Sequence, residues 1–388
     1  MTCSIRNRFP PRARQAGFSL IELMVAVVIS LIGTIVIFQV FGIFEGQKRT
    51  TTSAGDAQQS GLLALVSLER DARMGGFGLS YAPLLGCNVV AYDSTGARDF
   101  TFPLLPLQIT DGAAGGPDTV TFSYGSSNTL VAPTKLTINS AVGALFSKID
   151  TPYGYRVNDL VVIGEVGKNC SMRQVTAVAP AGNPDQINHD PGVRYNKTGG
   201  LTVAYTAWDN TALSGGRFYS LGAGPTVSTY TVGREDGNAA LPSEQLMLAN
   251  LIQSGAASPI VDGIVQLQAQ YGLDDNGDGI IQSTEWREPC AAVSQLRKGV
   301  APGACAAATA TDWSRVLAMR IAVVARSIQP EKPDPVTLVC NTTTTAPTWA
   351  GGTIVLTGYA GADPNWQCYR YRIFETKVPL RNLIWLPQ

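Results

Sequence analysis

Between Leu23 and Phe44 lie 22 consecutive residues without a charge, with Ser30, Thr34 and Gln39 the only notably polar ones. As a helix, such a run rises ~33 Å at 1.5 Å per residue, about the thickness of a bilayer core. Arg6, Arg8, Arg12 and Arg14 precede it with no acid among the first 17 residues, and arginines are nearly absent just after it. The positive-inside rule then keeps the leader cytoplasmic and sends the rest of the chain outward. The whole chain has 29 basic and 29 acidic residues, so nothing in the overall charge favours a nucleic-acid partner. His189 is the only histidine, which argues against a His-based metal site or a Ser-His-Asp triad.

Three kinds of N-terminus share these features. An ordinary signal peptide has a shorter apolar core that closes on a small-residue cleavage site, and no such site is clear here. A plain single-pass anchor fits the length but leaves Glu22 unexplained, because a carboxylate inside an apolar segment is costly and usually functional. Gly17-Phe18-Ser19-Leu20-Ile21-Glu22 resembles the cleavage motif of class III signal peptides, those of type IV pilins and type II secretion pseudopilins. That resemblance implies cleavage by a prepilin peptidase between Gly17 and Phe18, N-methylation of Phe18, and retention of the apolar helix as the assembly element. Glu22 is then the counter-charge to the new ammonium at Phe18, of its own or a neighbouring subunit. Breaking such a buried pair by removing one partner costs about 3–5 kcal/mol.

Past the apolar run, Leu62, Leu65, Val66, Leu68 and Ala72 approximate a helical stripe, with Glu69, Arg70 and Arg73 opposite, until Gly75-Gly76 stops the pattern. The spacing predicts one helix from about Phe18 to Met74, weakened at Gly42, Gly46, Gly55 and Gly61. From Leu79 onward short β-rich runs alternate with Gly, Pro, Asn and Asp clusters. Candidate strands include Thr119–Tyr124, Leu160–Val166, Leu201–Ala207, Arg217–Leu221, Val316–Ser327 and Tyr369–Val378. Ser243–Leu251 reads as a short helix, and Ala301–Thr311 and Asn341–Pro347 as loops. His189, within Asn188-His189-Asp190-Pro191-Gly192, has the composition of a surface loop.

Leu68-Glu69-Arg70-Asp71-Ala72-Arg73-Met74-Gly75-Gly76-Phe77 resembles the helix end of PilW-type minor pilins. The run Val265–Asp274 and the ending Val378–Leu383 are similar to that family as well. The resemblance implies an α+β, pilin-like fold with a long N-terminal helix packed on a large antiparallel β domain. Residues 1–17 would be the cleaved leader and 18–75 the helix, with about 18–44 in the membrane. Residues 76–388 would form a periplasmic, then extracellular, globular domain of one or two lobes. The implied work is pilus assembly through helix–helix packing, supporting twitching motility or adhesion, with no catalysis. Implied partners are other minor pilins, the major pilin, the inner-membrane assembly platform, the prepilin peptidase and a tip adhesin. A type II secretion pseudopilin is the alternative within the class; a membrane-anchored calcium-dependent binding or hydrolytic domain is the alternative outside it.

Six cysteines remain after the leader residue Cys3, an even number suited to an oxidising compartment. Local closure favours Cys290–Cys305 and Cys340–Cys368, which leaves Cys87–Cys170. The stretch Asp274 to Glu285 fits the D-x-[DN]-x-[DN]-G-x5-E calcium-loop pattern. Asp274, Asn276, Asp278 and Glu285 would offer side-chain oxygens, Ile280 its carbonyl and Gln282 a water-mediated contact. The run before the loop reads as a strand, so the helix-pair opening of calcium sensors is not implied; a solvated hairpin turn is the competing reading.

Overall fold

The computed structural model describes residues 17, 19–79, 81–129, 132–238, 241–298, 303–334 and 336–384. The chain divides into two units, Met1–Ser53 and Ala54–Gln388. The division falls inside the long helix Leu20–Met74, so its last turns belong with the β-rich unit.

In the first unit, Leu20–Glu45 is long and apolar enough to cross a membrane, and none of it is buried within the chain. Its hydroxyls are satisfied on the helix itself: Ser30 Oγ donates to the Val27 carbonyl at 2.8 Å and Thr34 Oγ1 to the Ser30 carbonyl at 2.7 Å. A helix in lipid must meet its polar groups internally in this way. The glycines expected to weaken the helix do not interrupt it.

In the second unit the helix buries Ala57, Gly61, Ala64, Leu68 and Ala72. This corrects the stripe expected from the sequence. Leu62 and Val66, placed in it by spacing, are 47% and 60% exposed. The buried face is chosen by small side chains, because small residues let the helix approach the sheet closely. Gly61 shows this most sharply, since a Cβ there would lie 2.0 Å from Cε2 of Phe374. The helix ends where Gly76 takes φ +83°, a left-handed conformation that glycine adopts without strain. Asn382 Nδ2 donates to the carbonyls of Met74 and Gly75 at 3.2 and 3.0 Å, the first of which also accepts the Phe77 N–H at 3.0 Å.

Two antiparallel sheets receive this helix. One has the strand order Ala257–Asp262, Gln245–Asn250, Thr226–Gly233, Thr119–Tyr124, Leu107–Thr110. The other has the order Trp286–Arg287, Ile264–Leu273, Val316–Arg326, Tyr371–Pro379. Leu68, Phe122, Tyr230, Leu267, Met319 and Val378 join in their common core. A third sheet of six strands carries a separate core on each face. Its strand Leu160–Gly164 is buried throughout, with Leu160 and Val162 in one core and Val161 and Ile163 in the other. The sheet is antiparallel except between Asn88–Asp93 and Cys170–Gln174, which run parallel with Val89 opposite Cys170.

Three further expectations are corrected. The stretch read as a short helix holds the strand Gln245–Asn250, hydrogen-bonded to a neighbour on each side. Pairing there overrides the helical propensity of Gln-Leu-Met-Leu-Ala. The run 201–207 forms no strand; its backbone is bent, and Tyr205 makes one isolated bridge to Ser140. Within 301–311, read as a loop, the described residues form the strand Ala304–Ala307 and the start of helix Ala310–Ser314. A capping box between Thr309 and Asp312 starts that helix.

Candidate functional site

At the N-terminus, Gly17 is exposed and a Cβ there would meet nothing within 4 Å. Phe18 and residues 1–16 lie outside the described residues. Ser19 Oγ accepts the Glu22 N–H at 3.2 Å, an N-capping bond for the first turn. Glu22 stands in that turn, where a carboxylate complements the helix dipole. It is exposed and has no ion-pair partner among the described residues.

The expected calcium loop connects the strands Ile264–Leu273 and Trp286–Arg287. Asp274 is 2% exposed, and its carboxylate is wrapped by backbone N–H groups. Oδ1 accepts from Gly277 at 2.7 Å and Asp278 at 3.1 Å, and Oδ2 from Gly279 at 2.8 Å. Gly277 and Gly279 reach these positions with φ of +75° and +78°. Glu285, also buried, accepts from the N–H of Asp275 at 3.2 Å and of Gln282 at 2.8 Å. Asp278 is exposed; it accepts from the Ile280 N–H at 2.8 Å, Asn276 Nδ2 at 3.0 Å and Gln282 Nε2 at 3.1 Å. The bond from Ile280 first, then that from Asn276, holds the Asp278 carboxyl below its ordinary range.

The loop therefore brings Asp274, Asn276, Asp278, Gln282 and Glu285 into one hydrogen-bonded turn. Among the described residues, no three or more His, Cys, Asp or Glu side chains gather as a metal-holding group. The donor chemistry still suits a hard cation. Among the described residues no salt bridge to Asp274, Asp278 or Glu285 is seen, whereas the neighbouring Asp275 is bound to Arg287.

Three disulfides staple the second unit: Cys87–Cys170, Cys290–Cys305 and Cys340–Cys368, with Cα–Cα distances of 6.0, 5.9 and 4.8 Å. His189 is not on the surface. It is 1% exposed, with Nε2 3.2 Å from Ser147 Oγ. Burial, and then the nearby Arg173 charge, push it down to about 4, so it is neutral at neutral pH. Sequence reasoning also passed over Asp71, a buried carboxylate on the helix that accepts from Tyr230 Oη at 2.9 Å and Tyr124 Oη at 3.2 Å. Its one advance signal was an acid on the face that carries Leu68 and Ala72.

An apolar, exposed first half of a long N-terminal helix, followed by an antiparallel-rich β domain that takes in the second half, is the architecture of a pilin-type subunit. Residues 12–38 match the family model described as Prokaryotic N-terminal methylation motif, and residues 229–382 that described as Type IV Pilus-assembly protein W. The two matches support a PilW-type type IV pilin with a class III signal peptide. The second match takes in Val265–Asp274 and Val378–Leu380, but not Leu68–Phe77. The apolar helix and the prepilin motif fit a membrane-anchored pilin with a periplasmic domain. No curated protein and no solved structure matches the chain.

Proposed function

We propose that this chain is a minor pilin that helps initiate and assemble type IV pili through packing of its N-terminal helix. The methylation-motif match over an exposed apolar helix carries the reading, because none of Leu20–Glu45 is buried among the described residues. Processing would cut between Gly17 and Phe18 and methylate Phe18, leaving Glu22 to pair with the new ammonium. Its partners would be other minor pilins, the major pilin, the inner-membrane platform and a tip adhesin, with twitching motility or adhesion as the outcome. Mass spectrometry of protein from host membranes should find N-methyl-Phe18 as the first residue, and the intact leader when the prepilin peptidase is deleted. A start at Met1 in the wild-type host, or beyond Phe44, refutes the reading. Glu22→Ala should be processed yet fail to support piliation. The match over residues 229–382 favours the pilus over a type II secretion pseudopilus.

We also propose that the Asp274–Glu285 turn holds calcium, with Asp274, Asn276, Asp278, Ile280, Gln282 and Glu285 as its oxygen ligands. The all-oxygen donor set and the absence of a cation beside three of its carboxylates support this reading. Thermal melting with calcium against chelator should show a rise of a few degrees, as expected for ~2.7 kcal/mol at 100 times the dissociation constant. Asp278→Ala and Glu285→Ala should abolish most of that rise. Equal melting points, with no calorimetric binding at millimolar calcium, leave only a hydrogen-bonded turn.

A further inference from the structure

The six-stranded sheet carries a cleft of about 540 Å³ that neither the pilin reading nor the calcium loop uses. One wall is the face of strands Asn88–Asp93, Arg98–Pro103 and Cys170–Gln174 that presents Val90, Tyr92, Asp99, Thr101 and Arg173. Their neighbours Val89, Phe100 and Met172 have their side chains in the core on the opposite face. The other wall is the segment carrying Lys197, Thr202 and Val203. The cleft lies wholly outside residues 229–382.

Arg173 makes the site unusual. It is 4% exposed, and its Nε has no hydrogen-bond partner. Nη2 donates to the Gly200 carbonyl, and among the described residues no carboxylate forms an ion pair with the guanidinium. Its one titratable basic neighbour, His189, stays neutral. Burying an ionised group without a counter-ion costs several kcal/mol, so a guanidinium kept in this way calls for an anion from outside. The rim also favours one. Lys197 is paired with Asp99 at 2.5 Å, which leaves Arg173 as the uncompensated charge of the lining. The planar fork of an arginine matches a carboxylate or phosphate in two hydrogen bonds. Val90, Tyr92 and Val203 add apolar surface beside it.

We propose that this cleft binds an oxyanionic group carried on a partly apolar small molecule, anchored by the guanidinium of Arg173. Thr101, Asn169 and Thr202 supply polar contacts around it, and the walls contact the apolar part.

The test uses the full chain in detergent micelles, with sodium benzoate, acetate and phosphate as probes at constant ionic strength. Binding is read by calorimetry and by the imidazole resonances of His189, the chain's one histidine. Benzoate should bind saturably and about tenfold more tightly than acetate. It should also raise the titration midpoint of His189, because the bound anion cancels the Arg173 charge beside that ring. Arg173→Gln should lose binding by at least about tenfold and abolish the histidine shift. Should Arg173→Gln fail to fold, Thr101→Trp decides, since it fills the cleft from an exposed strand position and leaves the arginine in place. Unchanged benzoate affinity in the folded variant, or no saturable benzoate binding in the wild type, overturns the proposal. Binding of phosphate without a preference for benzoate over acetate overturns the partly apolar ligand.

Discussion

Acidification should cost this protein the stability contributed by one buried imidazole, a loss that the buried Asp118 carboxyl, pushed up to about 8 by burial, opposes over the same range. His189 is buried, and its folded-state value is pushed to about 4 against an ordinary 6.5, first by burial and then by Arg173; Asp190 beside it acts weakly in the opposite sense. The folded state therefore binds fewer protons than the unfolded state between those two values. Stability from this group is complete above the unfolded value and is lost as pH falls toward the folded one. From about pH 7 to about pH 5 the linkage relation gives a loss of about 2 kcal/mol. Urea unfolding of the wild type and His189→Gln across this range isolates the contribution. Gln can still meet Ser147 but does not titrate, so on going from pH 7 to pH 5 the wild type should lose about 2 kcal/mol relative to the variant, whatever Asp118 contributes to both. A histidine-labelled NMR titration measures the folded-state value directly. A midpoint near 6.5 in the folded protein, or identical slopes in the two proteins, would refute the reasoning.

Gly61→Ala gains ~1 kcal/mol of helix propensity but forces the Phe374 ring aside. Overpacking should win, giving a net loss of about 1–2 kcal/mol in urea unfolding that the added substitution Phe374→Ala relieves. Asp71→Ala removes the carboxylate acceptor of the Tyr230 and Tyr124 hydroxyls, leaving Tyr230 the longer bond to the Ser67 carbonyl at 3.4 Å, and should cost about 1–3 kcal/mol by the same measurement, with Asp71→Asn costing less. Loss of the Cys290–Cys305 bridge by double serine substitution should cost ~3 kcal/mol, the entropy of a loop of 15 residues, seen as a lower urea midpoint.

Legibility in the sequence followed the range of the interaction responsible. The apolar helix, the stop at Gly75-Gly76 and the strands Thr119–Tyr124 and Leu160–Gly164 are written in local pattern, and there the sequence and structure agree to within a few residues. The turn Asp274–Glu285 is likewise local, and its glycines take the left-handed conformations that such a turn needs. The buried face of the helix was not legible. Its selection depends on what the helix meets, and the partner ring of Phe374 lies more than 300 residues away in sequence. Gln245–Asn250 became a strand for a similar reason, since its partners Thr226–Gly233 and Ala257–Asp262 decided the matter. Asn188-His189-Asp190-Pro191-Gly192 has turn composition, yet the His189 N–H bonds the Leu145 carbonyl at 2.8 Å and the ring is carried inward.

The same contrast separates the two halves of this molecule's chemistry. The pattern behind the pilin-type match is linear: a glycine, a phenylalanine, a glutamate and an apolar run at fixed spacing, all within or beside residues 12–38. What the β domain offers is assembled. Arg173 lies one residue beyond Met172 on a strand that starts at a disulfide cysteine, Cys170, and nothing in that run marks it as a site. Its burial without an ion-pair partner among the described residues exists only once the Asn88–Asp93 strand, the Lys197–Val203 segment and the neutral His189 have closed around it. An acid placed within reach of that guanidinium would compensate its buried charge and take the place of the proposed anion.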